Sequence, residues 1–334
     1  MTDSDYIIDD KGNWRPAKKL EFDPIFVWPP RPIQFLKYLF SFPGYIWPWN
    51  IFYIAIAVII YLFFQPAISE CKNFSFSWIS IVFLRNLFLV FVYAGLMHLR
   101  FYIFKYQGEK YQYNTKPLGT GNKFWHFGSQ TRENMFWTLC SAVPIWSAYE
   151  VIFLWGYANN IFPYIDFNTN PIYFCVLFLL LPGWQMVHFY FSHRITHWKP
   201  LYKWVHYLHH RYTNPEPWSG IAMHPVEHMI YFAGIWIFAL IPSHPMHMMF
   251  IAIRLGVAPS QGHTGFDKIV TGKDSAVDIG IYNHYLHHKY FEVNYSDGII
   301  PLDKIFGSFH DGSVEADKKM QQRLDTYNLG NEFN

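Results

Sequence analysis

Long apolar runs alternate with polar stretches along the first two thirds of the chain. Four of these runs have about the length that a helix needs to cross a bilayer, roughly 18 residues or more. They cover residues 47–64, 77–99, 135–157 and 172–190. Each run therefore predicts a transmembrane helix.

A fifth apolar run, residues 229–257, is divided by Pro242 and Pro245. Each half has about a dozen residues, which is too short for a crossing, so the run predicts a re-entrant hairpin that dips part-way into the membrane. The expected fold class is an all-α integral membrane protein. It comprises about four transmembrane helices, this short hairpin and a cytosolic, histidine-rich helical cap.

The same pattern divides the chain into four expected parts. They are a cytosolic or interfacial N-terminal segment over 1–46, transmembrane helices over 47–190, a histidine-rich domain over 191–312 that includes the hairpin, and a polar tail over 313–334.

The basic residues predict the orientation in the membrane. Six Lys or Arg precede the first run, and several lie between the second and third runs, whereas the loops after the first and third runs have one and none. By the positive-inside rule both termini face the cytosol. The expected location is a multi-pass protein of the ER membrane in a eukaryote or of the inner membrane in a bacterium.

Two charged residues interrupt the apolar runs. Arg85 lies in the second run and Glu150 in the third, each about two turns from the outer end. Charges at that depth usually pair or serve function. We expect an ion pair between the two helices; the alternative is that each side chain reaches the membrane surface separately.

Composition agrees with a membrane protein and gives no sign of nucleic-acid binding. Charged residues make up 15% of the chain and aromatic residues 21%, against roughly 25% charged in soluble domains. The net charge is +2, and no block of Lys or Arg stands out. The three cysteines form no CxxC pair, so neither a disulfide framework nor a thiolate metal site is predicted.

Fourteen of the 17 histidines fall within residues 185–305, and they recur at helical spacing. HxxxH occupies 193–197, and HxxHH occurs twice, at 206–210 and 284–288. Residues three and four apart share a helix face, and imidazole is a common ligand for zinc, copper, iron and nickel. Eight imidazoles exceed the needs of one tetrahedral ion, so a two-metal cage is predicted. Its ligands are His193, His197, His206, His209, His210, His284, His287 and His288.

These motifs resemble the fatty acid hydroxylase/sterol desaturase superfamily of membrane di-iron oxygenases, in its sterol-desaturase arm. The resemblance covers about residues 172–310 and also rests on His224-Pro-Val-Glu227, His263-Thr-Gly265, Asn294-Tyr295 and Asp303-Lys-Ile-Phe-Gly-Ser308. It implies two iron ions, with His263 as a further ligand and the di-metal centre itself as the catalytic group. The implied reaction is O2-dependent attack on an unactivated C–H bond of a membrane lipid. Zinc has no redox chemistry and is expected only as a substitute acquired during purification.

Four other polar residues near the motifs are expected either to bind metal or to support a ligand. They are His188, His224, Glu227 and His228. Glu227 suits the supporting role, because a carboxylate orients an imidazole through its second ring nitrogen. Asp278 and Asp303 are weaker candidates for that role.

No motif for electron delivery is visible. The sequence has no GxGxxG after a strand, no phosphate-binding loop and no cysteine cluster, so no built-in haem, flavin or NAD site is expected. The resemblance implies a separate electron donor, such as cytochrome b5 or a ferredoxin with its reductase. A sterol and a fatty acyl chain both fit an apolar pocket, and hydroxylation and desaturation both remain open.

Two other function classes compete with this interpretation. Residues 224–228 match HxxEH, the inverted zinc-protease motif, which indicates a membrane zinc hydrolase with Glu227 as general base. That hypothesis leaves both HxxHH motifs without a role. A metal transporter or store would place its histidines inside the spans, whereas here they follow the fourth span.

Overall fold

Four long helices carry the predicted transmembrane runs. The computed structural model of the chain describes residues 6–121, 123–298 and 300–332, so the first five and last two residues of the predicted end segments lie outside the described residues. After a short helix α1 (Pro32–Phe40) come the four helices that are long and apolar enough to cross a membrane. They are α2 (Ile46–Phe63), α3 (Phe76–Ile103), α4 (Gln130–Ala158) and α5 (Pro171–Thr196). The predicted all-α membrane fold is thereby confirmed.

Helix α5 is longer than the apolar run that predicted it. Its first residue is Pro171, whose missing N–H costs nothing in a first turn. The helix continues past Pro182 to Thr196. His193 therefore lies on its last turn, and His197 caps its C-terminal end. One unbroken helix thus extends from the apolar segment to both histidines of the HxxxH motif.

Helix α8 (Pro245–Gly262) lies at the centre of the fold and packs against α2, α3 and α4. Fourteen of its 18 residues are buried. A Cβ atom at Gly256 would come within 2.4 Å of the Trp146 ring, so the absence of a side chain there allows α4 and α8 to approach closely. The predicted hairpin over 229–257 corresponds to the end of a preceding helix, a turn near Ser243, and most of α8.

The segment before that turn is helical but irregular. Between α5 and α8 the chain forms a helix with a π-helical turn over residues 199–210, labelled α6, and then α7 (Pro225–Phe232), which passes into a 3-10 helix over Ala233–Ala239. The re-entrant position of the hairpin and the limits of the four predicted parts stay predictions.

Short elements complete the architecture. Helices α9 (Tyr282–Tyr290), α10 (Pro301–Ile305) and α11 (Val314–Glu332) follow α8. Short 3-10 turns occupy Pro24–Phe26, Ile68–Lys72 and Pro217–Ser219. Two antiparallel strand pairs join β1 (Tyr6–Ile8) to β2 (Trp14–Pro16), with Ile7 opposite Arg15, and β3 (Lys268–Val270) to β4 (Ala276–Asp278), with Ile269 opposite Val277. These pairs flank the helical fold and do not form its core.

Arg85 and Glu150 meet between α3 and α4. The Arg85 Nη2 contacts Glu150 Oε1, and the two side chains are 8% and 2% exposed. Asn86 Nδ2 donates to Glu150 Oε2 at 3.0 Å, and Arg85 Nη1 donates to Gln65 Oε1 at 2.8 Å. Each charge therefore has a second polar partner, which is the arrangement that makes a buried ion pair tolerable.

Candidate metal centre

Nine histidines converge at the ends of α5, α6, α8 and α9. They form two groups, and within each group the potential ligand nitrogens all lie within 4.8 Å of one another. The five-histidine cluster consists of His193, His197, His206, His210 and His287, and the four-histidine cluster of His209, His263, His284 and His288. All nine residues that the motifs and the resemblance indicated are brought together, and all are buried except the half-buried His197.

Each HxxHH motif contributes to both clusters. On α6, His206 and His210 belong to the five-histidine cluster while His209 belongs to the other; on α9, His284 and His288 belong to the four-histidine cluster while His287 belongs to the first. Positions i and i+4 are 40° apart around a helix, whereas i+3 lies about 100° from i+4. The i, i+4 pair therefore faces one cluster and the middle histidine faces the other.

The two clusters adjoin. The His210 and His288 ring centroids are 5.1 Å apart, and those of His193 and His284 are 5.9 Å apart. Because neighbouring residues on α6 and α9 supply both clusters, a shift of either helix would disturb both.

Hydrogen bonds on the outer side of two rings fix their tautomers. Nδ1 of His193 lies 2.6 Å from the Tyr295 carbonyl oxygen, and Nδ1 of His287 lies 2.6 Å from the Val293 carbonyl oxygen. A carbonyl oxygen only accepts, so each Nδ1 carries the proton and each Nε2 presents a lone pair to the five-histidine cluster.

The spacing of the Nε2 atoms fits shared cations. His197 Nε2 lies 2.9 Å from that of His206 and 3.2 Å from those of His210 and His287. In the other cluster, His284 Nε2 lies 2.9 Å from that of His263. Two nitrogens at a right angle and about 2.1 Å from one ion would be about 3.0 Å apart. A cation between two such nitrogens relieves the repulsion of their lone pairs, so the spacing fits two metal ions.

Glu227 supports the five-histidine cluster from outside. Its Oε1 lies 2.6 Å from Nδ1 of His206. Burial lowers the pKa of His206 and of His209 to about 3, so both rings are neutral at pH 7. Burial raises the pKa of Glu227 to about 7. Glu227 therefore holds a ligand imidazole in place, the role expected from its position in the motif.

The four-histidine cluster has no comparable support. Within the described residues, the buried Nδ1 atoms of His209, His263, His284 and His288 have no hydrogen-bond partner. Packing of the rings against one another orients them instead; the His209 and His288 centroids, for example, are 4.7 Å apart. The two clusters thus differ in how firmly the protein fixes their ligands.

Asp303 stabilises the loop that fixes His193. Its carboxylate accepts from the backbone N–H groups of Tyr295 (2.9 Å) and Ser296 (3.2 Å), and from the hydroxyls of Ser296 (2.6 Å) and Ser308 (2.7 Å). The Tyr295 carbonyl that accepts from His193 belongs to this loop. The sequence made Asp303 a weaker candidate for orienting a ligand directly. In the structure it acts on His193 indirectly, through the loop that carries the Tyr295 carbonyl.

Three of the other predicted histidines lie outside the clusters of the described residues. His224 is the N-cap of α7, where its Nδ1 accepts from the Val226 N–H at 3.2 Å. His228 Nε2 lies 2.9 Å from the Ile221 carbonyl oxygen, and its Nδ1 3.0 Å from Ser141 Oγ. His188 packs against Trp184. Asp278 bonds to Lys268 on the protein surface, so its proposed role near a ligand was wrong.

The HxxEH geometry argues against the hydrolase hypothesis. A zinc site there would need ring nitrogens of His224 and His228 directed at one point. Instead, both nitrogens of His228 face protein partners, and Nδ1 of His224 caps a helix. Glu227, the expected general base, points at His206.

An apolar cavity opens beside the histidines. Four cluster members line it, together with aliphatic and aromatic side chains and a few polar groups. The cluster members are His193, His209, His263 and His284, and the apolar walls include Met186, Phe189, Met223, Ile230 and Ile281. A hydrophobic molecule in this cavity would lie against both clusters. The sequence indicated an apolar pocket but not its polar lining residues, Gln185, Arg254 and Asp297.

Comparison with known proteins shows which family the histidine-rich region resembles. A family model for fatty acid hydroxylases matches residues 176–308. Similar curated proteins include the Delta(7)-sterol 5(6)-desaturase ERG3B of Gibberella zeae, 31% identical over 38% of this chain and 40% of that protein. They also include the methylsterol monooxygenase erg25B of Aspergillus fumigatus, 29% identical over 46% and 52%, and methylsterol monooxygenase 1 of Gallus gallus, 30% identical over 40% and 46%.

The matched segments thus span about half or less of these relatives' own length. No solved structure matches the chain significantly. The matched region contains all nine clustered histidines. Residues 176–308 therefore match the fatty acid hydroxylase family, and over less than half of its length the chain is similar to sterol desaturases and methylsterol monooxygenases.

Proposed function

We propose that this protein is an O2-dependent membrane di-iron oxidoreductase that hydroxylates or desaturates an unactivated C–H bond of a lipid, either sterol-like or fatty acyl. The observation that carries the proposal is the pair of adjoining all-histidine clusters beside an apolar cavity. The names of the similar proteins, sterol desaturases and methylsterol monooxygenases, support a lipid substrate and oxidative chemistry.

The chemistry explains why a redox metal pair is needed. A lipid C–H bond offers no acidic proton, so general-base catalysis alone cannot break it. Hydroxylation consumes O2, two electrons and two protons and gives an alcohol and one water; desaturation consumes the same and gives an alkene and two waters. Iron bound by the clusters would supply the redox chemistry, which zinc cannot.

The protein's own residues position and protect this chemistry. The carbonyls of Tyr295 and Val293 keep the protons on Nδ1 of His193 and His287, so Nε2 stays free to bind metal. Phe189, whose ring is tilted against that of His193 with the centroids 4.9 Å apart, forms part of the apolar wall. A substrate filling the cavity would exclude water from the clusters and hold one C–H bond near them.

The partners and location are parts of the same proposal. Electrons come from a separate carrier, such as cytochrome b5 or a ferredoxin with its reductase, and reach the clusters from the cytosolic side. Both termini face the cytosol, in the ER membrane of a eukaryote or the inner membrane of a bacterium. The basic residues before the first span and between the second and third support this orientation.

Metal content tests the proposal most directly. Protein purified without oxygen is analysed by mass spectrometry beside His209→Ala, His287→Ala and His126→Ala; the last is the matched control, because His126 lies outside both clusters and its side chain is 73% exposed. We expect about two irons per chain in the wild type and the control, as two clusters require, and less in the two cluster variants.

Zinc acquired during expression does not decide the question, so the same samples are reconstituted with ferrous iron and given a chemical reductant and a membrane lipid extract. O2 consumption that needs the lipid and disappears in His287→Ala supports the oxygenase. Protein that holds iron but consumes no O2 with any lipid fraction refutes it.

A further inference from the structure

The cavity contains a polar group that the metal chemistry does not use. Arg254, in the middle of α8, lines the cavity beside apolar residues and the histidines. Its guanidinium lies over the rings of Tyr53 (5.5 Å) and Phe250 (5.8 Å). A charged side chain in so apolar a segment is usually paired or functional.

The hydrogen bonds of Arg254 are incomplete. Nε donates to Gln185 Oε1 at 2.9 Å, and Nη1 donates to Asn50 Oδ1 at 2.5 Å. Both acceptors are neutral amides. Among the described residues, Nη2 has no hydrogen-bond partner, and no carboxylate lies within 4.0 Å of the guanidinium. Arg254 is thus held in place by two contacts while its Nη2 group stays available to the cavity.

Asp297 lines the same cavity and presents an unused acceptor. Its buried Oδ1 has no hydrogen-bond partner within the described residues. Its neighbours are fixed on both sides: Asp303 binds Ser296, and Asn283 Nδ2 donates to the carbonyls of Ser296 (3.3 Å) and Gly298 (3.1 Å). Asp297 therefore stands on an anchored loop, as a preorganised binding group does.

We propose that Arg254 and Asp297 form a clamp for a hydroxyl group on the lipid substrate. A hydroxyl oxygen accepts from Arg254 Nη2 while its O–H donates to Asp297, so one small group satisfies both residues. The clamp makes the substrate class a lipid alcohol. This inference rests on the proposed function, since it concerns the substrate of the same cavity.

Arg254 and Asp297 together discriminate against a carboxylate, the head group of a fatty acid. A carboxylate would gain a contact with Arg254, but its negative charge would face that of Asp297 at close range, a like-charge juxtaposition that costs binding energy. A hydroxyl carries no charge and meets both groups favourably. The observed combination of one free donor and one free acceptor therefore favours an alcohol over a fatty acid.

Arg254 lies away from the metal ligand on its own helix, because it precedes His263 by nine residues on α8, about 13 Å along the helix axis. Asp297 lies nearer the centre, since Tyr295, two residues before it, contacts His193. A hydroxyl group held by the clamp would leave another part of the lipid to lie against the clusters.

The test measures binding without turnover. The full-length protein in phosphatidylcholine nanodiscs, without reductant, is equilibrated with tritiated cholesterol or tritiated 1-hexadecanol. For each of the two scaffolds, the sterol and the hexadecyl chain, the competitors are the alcohol itself, its methyl ether and the hydrocarbon that lacks the oxygen. Hexadecanoate is a further competitor. Variants are Arg254→Met, Asp297→Asn and the control Arg132→Met, whose side chain is exposed outside the cavity.

On at least one scaffold, the alcohol should compete roughly ten-fold or more better than the ether and the hydrocarbon, as expected for hydrogen bonds to charged groups. Arg254→Met should abolish the preference for the alcohol without weakening the binding of the hydrocarbon. Asp297→Asn should reduce the preference for the alcohol over its ether. Arg132→Met should retain both preferences. Equal binding of alcohol and hydrocarbon on both scaffolds by the wild type, or hexadecanoate outcompeting hexadecanol, overturns the clamp.

Folding failure and failure of the enzyme proposal are recognised separately. Iron content on the same samples reports whether Arg254→Met is folded. If that variant is not folded, the preference of the wild-type protein for the alcohol over the ether and the hydrocarbon tests the clamp by itself. A preference for alcohols in a protein that consumes no O2 would leave the clamp standing and remove the oxygenase. Turnover without any preference for alcohols would overturn the clamp and leave the oxygenase standing.

Discussion

Asp303 offers the sharpest test of how the fold fixes the metal ligands. Its carboxylate is 1% exposed and accepts four hydrogen bonds, two at each oxygen: Tyr295 N and Ser308 Oγ at Oδ1, Ser296 N and Oγ at Oδ2. The change Asp303→Asn keeps the shape but replaces one acceptor oxygen with an NH2 group. Whichever oxygen is replaced, one backbone N–H then faces a donor.

The magnitude follows from those contacts. One buried N–H left without an acceptor costs about 1–3 kcal/mol, and losing the charge weakens bonds that are worth about 1.5–3 kcal/mol each. A hydroxyl can rotate to accept from the new NH2, so the backbone contact dominates. We expect a loss of about 3 kcal/mol in the free energy of unfolding. At an unfolding entropy of about 2.1 cal/mol/K per residue, this is equivalent to a fall of roughly 4 °C in the melting temperature for a chain of this size.

The assay compares thermal unfolding and retained iron in Asp303→Asn and Asp278→Asn. Asp278 undergoes the same chemical change, but its side chain is 54% exposed and pairs with Lys268 on the surface, where such pairs contribute about 0–1 kcal/mol. Asp303→Asn should also retain less iron, because the Tyr295 carbonyl no longer holds His193 in one orientation. Equal melting temperatures and equal iron in the two variants would refute the reasoning.

Three further predictions concern the same framework. Glu227→Ala should weaken iron binding by about 10–100-fold, because His206 loses its orienting partner; iron retained against a chelator measures this, and unchanged retention contradicts it. Gly256→Ala should cost about 1–3 kcal/mol, because its Cβ would lie 2.4 Å from Trp146; thermal unfolding checks it, and Trp146→Phe in the same chain should recover part of the loss. Chelation should remove iron first from the four-histidine cluster, whose Nδ1 atoms lack partners in the described residues; His209→Ala should then abolish the fast-release phase, and release in a single phase from the wild type contradicts this.

The apolar runs predicted the four long helices because a helix that crosses the bilayer core must be both apolar and long enough to span it. Their ends were less accurate. The run ending near residue 190 gave no sign that α5 continues to Thr196, because backbone hydrogen bonding continues where apolar composition stops. The polar residues Asp274 and Ser275 lie at the turn between β3 and β4 and do not cap a helix, since α9 begins only at Tyr282. Strands of three residues are too short to show an alternating pattern.

The ligand residues could be read from spacing, but their division between two clusters could not. Spacing places His206 and His210 on one face of a helix, yet it does not specify which histidines from other helices meet them there. That depends on how α5, α6, α8 and α9 pack. Arg254 had a visible signal, a charge inside an apolar run, whereas Asp297, 43 residues later, became significant only when the fold placed both in one cavity.

The arrangement also bears on how the site assembles. Nine imidazoles come from segments up to 95 residues apart, and those with Nδ1 bound to a carbonyl must turn their lone pairs toward one another. Without a cation, lone pairs that face one another oppose folding. A bound cation instead favours the folded arrangement, so metal binding and closure of the four helix ends are thermodynamically coupled. The coupling is not uniform, because Tyr295, Val293 and Glu227 hold three rings of the five-histidine cluster in place independently of metal. That cluster is therefore the preformed part of the centre, and the four-histidine cluster is the part that metal completes.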